Sequence, residues 1–292
     1  MDLSRIRNIL GPHLEHLREI IYLCPEFGIF HGVREVFRFI LQQEPPFAIN
    51  DHRLGVVVSG EGDINFNLVD HHISAPALVY LGPGTIINPL SFSEDLEVYG
   101  IALLSPFPMP FAAGQWPPAF NGHVRDFQLQ VDGADLNVAR GILDCIWHLT
   151  RQRDVSLPTV SALVAALMQH YDHLFRRQSD LQSSARSREQ TIFNRFIQLV
   201  NQHCREQHQI SYYAERMCLT ERYLSTVVRQ ASGTTAKDWI DRALITRIKI
   251  ELRHTDKSAS QLAEEFHFAN PSFFSKYFRR CTGVTPLAFR QE

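Results

Sequence analysis

Two sets of side chains in the C-terminal third are of the kind that grip a nucleic acid. In Leu224-Ser225-Thr226-Val227-Val228-Arg229-Gln230-Ala231-Ser232-Gly233-Thr234-Thr235 and in Phe274-Ser275-Lys276-Tyr277-Phe278-Arg279-Arg280-Cys281-Thr282-Gly283-Val284-Thr285, serine, arginine, glycine and threonine recur at a constant offset of 50. Helical spacing puts Arg222, Thr226 and Arg229 on one side of the first stretch and Ser272, Lys276 and Arg279 on the same side of the second. Lysine and arginine neutralise phosphates, arginine can also grip a guanine edge with two donors, and hydroxyls bond several base edges. A single set of this kind decorates many solvated helices. Two at a fixed offset form an internal repeat, which takes precedence in reading a chain.

The elements that must hold these side chains follow one grammar in each copy. A short helix with small and apolar positions (Ala214 and Met217; Leu262, Ala263 and Phe266) runs into a turn, after which Thr220 or Asn270 offers an N-cap. The next helix carries the doublets Tyr223/Leu224 and Val227/Val228, or Phe273/Phe274 and Tyr277/Phe278, which are expected to bury one stripe. Gly233 and Gly283 stop the two helices. This is helix-turn-helix grammar, written twice. Between the copies, Ala236 to Leu252 reads as one helix, apolar at Trp239, Ile240, Leu244, Ile248 and Leu252. At about 25 Å it is a rod able to hold two recognition helices about one DNA turn, roughly 34 Å, apart.

Residues 190–290 resemble the DNA-binding domain of the AraC/XylS family of bacterial transcription regulators. The matching residues are Ala214, Leu219-Thr220, Tyr223-Leu224-Ser225, Gly233, Ile240, Leu262-Ala263, Phe268, Phe273-Phe274, Phe278-Arg279, Gly283, Thr285-Pro286 and Arg290. Two positions depart from the family pattern: His267 stands where a glycine is usual, and Ile248 where the linker helix usually has alanine. The resemblance implies base-facing places for Arg222, Ser225 and Thr226 in the first copy and for Pro271, Ser272 and Lys276 in the second. Arg229 and Arg279 are then expected at phosphates, and Thr220, Glu221, Tyr223, Asn270 and Ser275 complete the DNA-binding set. Double-stranded DNA is the implied partner, with RNA polymerase and a small-molecule effector as further partners of such a regulator.

The N-terminal half changes character. Ile6, Ile9, Leu10, Leu14, Leu17 and Ile21 are spaced for a helix over 3–22. From Val36 to Leu104 the period becomes two, at Phe37/Phe39/Leu41, Leu54 to Val58, Ile64/Phe66/Leu68, Leu78/Tyr80 and Val98 to Leu104, punctuated by Gly60-Glu61-Gly62 and Gly82-Pro83-Gly84. Such strands predict a small antiparallel barrel or a two-sheet sandwich. Val58-Ser59-Gly60-Glu61-Gly62 and Leu81-Gly82-Pro83-Gly84 loosely resemble the cupin-like sensor domain found in the same family. Phe37, Phe39, Val56, Val58, Phe66 and Tyr80 are the candidates to line its interior, either as filled core or around a small ligand. His52, His71 and His72 are the candidate metal ligands, but adjacent strand residues face opposite ways, so His71 and His72 do not meet one ion and a surface role is expected.

Beyond an irregular stretch at 105–125, two helical patterns follow, at Leu136 to Trp147 and at Val160 to Phe175. These helices over 135–177 form either a lid on their own sheet or a dimer seam, and the resemblance favours a homodimer. Ser179 to Arg188 is polar and serine-rich and reads as a linker. The fold class expected is thus α+β, with a cupin-like sensor and dimerisation domain at 1–178, a linker at 179–188 and an all-α double helix-turn-helix domain at 189–292.

Charge follows this division. Of the chain's 29 Lys/Arg and 31 Asp/Glu, 17 and 11 lie in 186–292 (net +6), leaving 12 and 20 in 1–185 (net −8). The basic part suits a polyanion and the acidic part does not. Five scattered cysteines without a Cys-x-x-Cys pair indicate neither a disulfide framework nor zinc. There is no run of eighteen apolar residues and no basic-then-apolar leader, so a cytoplasmic protein without membrane partners is expected. No nucleophile, base and orienter constellation stands out, and neither a cofactor nor catalysis is expected. The reading is a sequence-specific transcription regulator that inserts two recognition helices into successive major grooves. The alternative is a metabolite-binding or enzymatic cupin-type barrel whose helical half merely assembles subunits.

Overall fold

The computed structural model describes residues 17, 19–32, 46–104, 107–109, 111, 116–120, 125–183 and 188–291. The chain forms two compact units, Met1–Ser183 and Ser184–Glu292. The predicted helix over 3–22 lies outside the described residues except at its end, where Ile21 opens a strand instead. Phe37 and Phe39 also lie outside the described residues.

Among the described residues of the first unit, ten strands form two antiparallel sheets. The larger contains β1 (Ile21–Leu23), β2 (Phe27–Phe30), β9 (Glu97–Leu103), β4 (His52–Ser59), β7 (Ala77–Leu81) and β10 (Asp126–Gln130), in that spatial order. The smaller contains β3 (Phe47–Ala48), β8 (Ile86–Phe92), β5 (Glu61–Phe66) and β6 (Val69–Ser74). Among the described residues these sheets form a two-sheet sandwich and do not close into one barrel. β6, β8 and β10 are not among the expected strands: β6 is polar at Asp70, His71 and His72, Pro89 interrupts β8, and β10 alternates at Phe127 and Leu129 over only five residues.

Two helices, α1 (Gly133–Thr150) and α2 (Leu157–Ser183), cover the outer face of the larger sheet. Asp132 caps α1 by accepting from the Asp135 N–H. Leu143, Ile146, Val164, Leu167, Met168 and Tyr171 pack with Leu54, Val56, Leu78, Tyr80 and Ile101, and the Tyr171 hydroxyl donates to the Gly55 carbonyl at 2.9 Å. The inner face of the same sheet, with Val57, Ala77, Val79, Val98 and Ala102, meets Ile64, Phe66 and Ile87 of the smaller sheet. β4, β7 and β9 are therefore covered on both faces, so their sequences are nearly continuous apolar runs and do not reveal which residue faces which way. α2 extends through the first five residues of the segment read as a linker, which contains neither proline nor glycine to stop it.

The second unit is helical: α3 (Arg188–His203), α4 (Ile210–Arg216), α5 (Glu221–Ser232), α6 (Ala236–His254), α7 (Ala259–Glu265), α8 (Pro271–Thr282) and α9 (Pro286–Gln291). The predicted rod is α6, 19 residues long, and Trp239, Ile240, Leu244, Ile248 and Leu252 are all buried along it. Ile248 fills the core between α6, α7 and α8, where the bulkier side chain adds apolar contact.

Candidate nucleic-acid interface

The two helix pairs α4/α5 and α7/α8 are built by the same local devices. Thr220 caps α5 by accepting from the Tyr223 N–H, and Asn270 caps α8 by accepting from the Phe273 N–H. Gly233 and Gly283 close these helices at φ 70° and 84°, in the left-handed region where a side chain is strained. The turn entering each recognition helix is tied by a long backbone bond, Leu219 N–H to Ala214 carbonyl at 2.9 Å and Phe268 N–H to Ala263 carbonyl at 2.8 Å. Cys218 and His267, the residues just before, adopt φ 53° and 54°. His267 thus occupies the left-handed position where the resembling family has glycine, and the turn keeps its course.

Burial repeats residue for residue between 221–230 and 271–280. Leu224, Val227 and Val228 are buried in α5, as are Phe274, Tyr277 and Phe278 in α8. The expected doublets are corrected at one place each: Tyr223 is 39% exposed and Phe273 56% exposed. The helix turns 100° per residue, and these two sit at the rim of the buried stripe, not inside it.

The side chains named from the sequence are exposed, Thr220, Glu221, Arg222, Tyr223, Thr226 and Arg229 on one pair, and Asn270, Pro271, Ser272, Lys276 and Arg279 on the other, with Ser225 and Ser275 half-buried. Ser225 Oγ donates to the Glu221 carbonyl at 2.7 Å and Thr226 Oγ1 to the Arg222 carbonyl at 2.9 Å. With their protons so used, both oxygens present acceptor lone pairs outward, suited to amino-group donors such as adenine N6 or cytosine N4.

Cations divide into committed and uncommitted groups. Arg205 and Lys257 share Glu251 and Glu265, with Lys257 Nζ 3.0 Å from Glu251 and 2.7 Å from Glu265. Lys237 and Arg280 flank Asp241 at 2.7 and 3.8 Å. Arg222, Arg229, Lys276 and Arg279 form no ion pair among the described residues. Asp241 also accepts from the Tyr277 hydroxyl at 2.7 Å, which pins α8 to α6. Burial, reinforced by that carboxylate, holds the phenol well above its ordinary range, so it remains a donor. At the first pair, Trp239 Nε1 donates to Ser232 Oγ at 2.9 Å and joins α5 to α6. The Asp241 and Trp239 bonds had no signal in the repeat, because the residues 50 positions on, Gln291 and Phe289, carry neither the carboxylate nor the indole donor.

In the first unit a cavity of about 140 Å³ opens between the sheets. Its lining includes Val57, Ile64, Phe66, Val79, Val98 and Arg53. Of the residues predicted to line it, Phe66 does; Val56, Val58 and Tyr80 pack on the helix-covered side. This is the parity ambiguity of strands covered on both faces: a shift of one residue exchanges the two sides.

The three histidines do not converge. His52 Nδ1 lies 2.8 Å from the Tyr80 hydroxyl beside Trp116, and burial lowers its pKa. His71 packs on the Phe66 ring, and burial lowers its pKa as well. His72 is exposed on the other side, 2.9 Å from Asp63, whose hydrogen bond raises its pKa. Among the described residues no group of three or more His, Cys, Asp or Glu is placed to hold a metal ion, and no helix is long and apolar enough to cross a membrane.

The helix-turn-helix domain family matches residues 213–292. The HTH-type transcriptional activator RhaS of Escherichia fergusonii is 26% identical over 243 residues, covering 82% of this chain and 85% of that protein. The HTH-type transcriptional activator RhaR of Cronobacter sakazakii is 34% identical over 86 residues, 30% of this chain and 29% of that protein. Among solved structures, ToxT of Vibrio cholerae is 15% identical with a TM-score of 0.38, covering 84% of this chain and 92% of that chain. The doubled helix pair is a helix-turn-helix DNA-binding domain, and the chain is a transcription regulator similar to those of the AraC/XylS type.

Proposed function

We propose that the chain binds a specific DNA site with α5 and α8 in successive major grooves, and that Met1–Ser183 is the sensor and dimerisation domain that controls this binding. The observation that carries the first half is the repeated exposed face on α5 and α8, furnished with four cations that no carboxylate of the described unit claims. Arg222, Ser225, Thr226, Ser272 and Lys276 read base edges, Arg229 and Arg279 take phosphates, and Pro271 contributes shape. α6, about 28 Å at roughly 1.5 Å per residue, joins the two pairs over the scale of one DNA turn.

Control lies in the first unit. Its cavity approaches the roughly 150 Å³ that admits a benzene-sized guest, and its lining suits a small, largely apolar effector, the charged residue at its wall, Arg53, being paired with Asp51 at 2.7 Å. A homodimer forms along α1, whose buried stripe covers its own sheet while Val138 remains 49% exposed beside exposed Gly141 and Cys145. Sedimentation of the full chain at tens of micromolar tests the dimer; a monomer there removes it. The DNA reading is tested by selecting duplexes from a random pool with the full chain. Enriched sites should carry two conserved blocks about 10–10.5 base pairs apart centre to centre, bound less tightly as salt rises. Enrichment without a preferred sequence, or of one block only, would reject two-groove reading.

A further inference from the structure

Phe273 presents an exposed ring in the first turn of a recognition helix. It is 56% exposed, while Phe274 beside it is fully buried. Its position is fixed from three directions. Asn270 Oδ1 accepts its N–H at 2.8 Å, Pro271 sets the backbone at the first helical position, and the Phe268 ring lies 6.2 Å from it, centroid to centroid. On the helix surface it adjoins exposed Lys276 and Arg280, so the ring belongs to a basic face that attracts a polyanion. The equivalent place in the first pair holds Tyr223, also exposed but carrying a hydroxyl.

A phenylalanine ring has no hydrogen-bonding group, so in the major groove it can recognise only an apolar feature. Base edges there offer one, the C5-methyl group of thymine. The N-terminal residues of a recognition helix are the ones that meet base edges. We propose that Phe273 reads a thymine methyl group in the site bound by α8, an inference that rests on the DNA-binding reading above. Pro271 and Phe273 together would give the second pair a readout by shape and apolar contact, whereas Arg222, Ser225 and Thr226 give the first a readout by hydrogen bonds.

The test uses duplexes enriched by the full chain and remade with deoxyuridine in place of thymine, one position at a time, which removes only the methyl group. At one thymine in the block read by α8 the wild type should lose about fourfold in affinity, the loss expected for one methyl group returned to water. Phe273→Ala should bind thymine and uracil there equally, and Phe273→Leu, which keeps an apolar side chain, should retain a preference for thymine. The exposed ring contributes little to the core, and equal thermal midpoints of the three proteins check this. If no replacement weakens the wild type, or if Phe273→Ala loses as much at that thymine as the wild type does, the assignment is wrong. Failure of the chain to enrich any duplex would instead remove the DNA reading, and the inference with it.

Discussion

The two helix pairs share a frame and differ in what they show to the outside. Leu224, Val227 and Val228 correspond to Phe274, Tyr277 and Phe278, and both sets are buried at the same positions. Outside, the first pair begins Glu221-Arg222-Tyr223 and the second Pro271-Ser272-Phe273. Thr226 is matched by Lys276, while Arg229 and Arg279 coincide. Under the DNA reading proposed above, the coincident Arg229 and Arg279 would meet the uniform backbone of DNA, and the divergent residues at 222, 226, 272 and 276 would stand at base edges, so that one fold could read two unlike half-sites.

Breaking the frame should cost the most. Phe274→Ala removes a fully buried ring and is expected to destabilise the helical unit by about 3–5 kcal/mol, and Leu224→Ala by about 2–5 kcal/mol, in chemical denaturation. A loss at one site and none at the other would show that the two cores are not equivalent despite matching burial.

The next effect separates the pairs. Of the two recognition helices Asp241 braces α8, through Tyr277 and Arg280; its other partner, Lys237, lies on α6 itself. Asp241→Asn weakens a hydrogen bond to a charged acceptor, a contribution of about 1.5–3 kcal/mol at most. The expected outcome is weaker binding with relaxed preference in the block read by α8 and unchanged preference in the other. Equal relaxation in both blocks would mean that α6 transmits the change to the whole unit.

Much of this frame is legible in the sequence because its signals are local. A cap residue, a buried residue every three or four positions and a stopping glycine need no knowledge of distant partners, and Thr220, Asn270, Gly233 and Gly283 all occupy those roles. What escaped depends on tertiary context. Tyr223 and Phe273 lie at the rim of a stripe, where periodicity alone does not decide burial. In β4, β7 and β9 both faces are covered, so Val56 and Tyr80 were assigned to the wrong side. The apolar stripes of α1 and α2 leave both a lid and a dimer seam open in the sequence, and their own sheet takes up most of the apolar surface. For the interface itself, residue types and spacing identified the outward set, whereas the division into committed and uncommitted cations required coordinates.

Outward substitutions come next in size. Arg222→Ala should reduce discrimination at one base position by about 1–3 kcal/mol. Arg229→Ala should weaken all sequences alike and lower the salt slope by about one unit. Binding titrations on matched and mismatched duplexes at several salt concentrations distinguish these outcomes. Identical changes for both variants would void the division of roles.

The smallest effect concerns Thr226, where the two pairs differ by a hydroxyl against an ammonium. Its Oγ1 donates to the Arg222 carbonyl and so offers only acceptor capacity to a base. Thr226→Val keeps the branched shape and removes that acceptor, and the exposed position leaves the fold's stability within about 0.5 kcal/mol. Affinity for the preferred duplex should fall by about 0.5–1.5 kcal/mol, the net contribution of one hydrogen bond, with the loss confined to a single base pair. Lysine carries donors and no acceptor, so Thr226→Lys should move the preferred base at that pair away from cytosine or adenine toward guanine or thymine. The base preferred by the Thr226→Lys protein in a fresh selection decides the matter. An unchanged preference would show that Thr226 faces solvent, and that the first pair reads its half-site through Arg222 and Ser225.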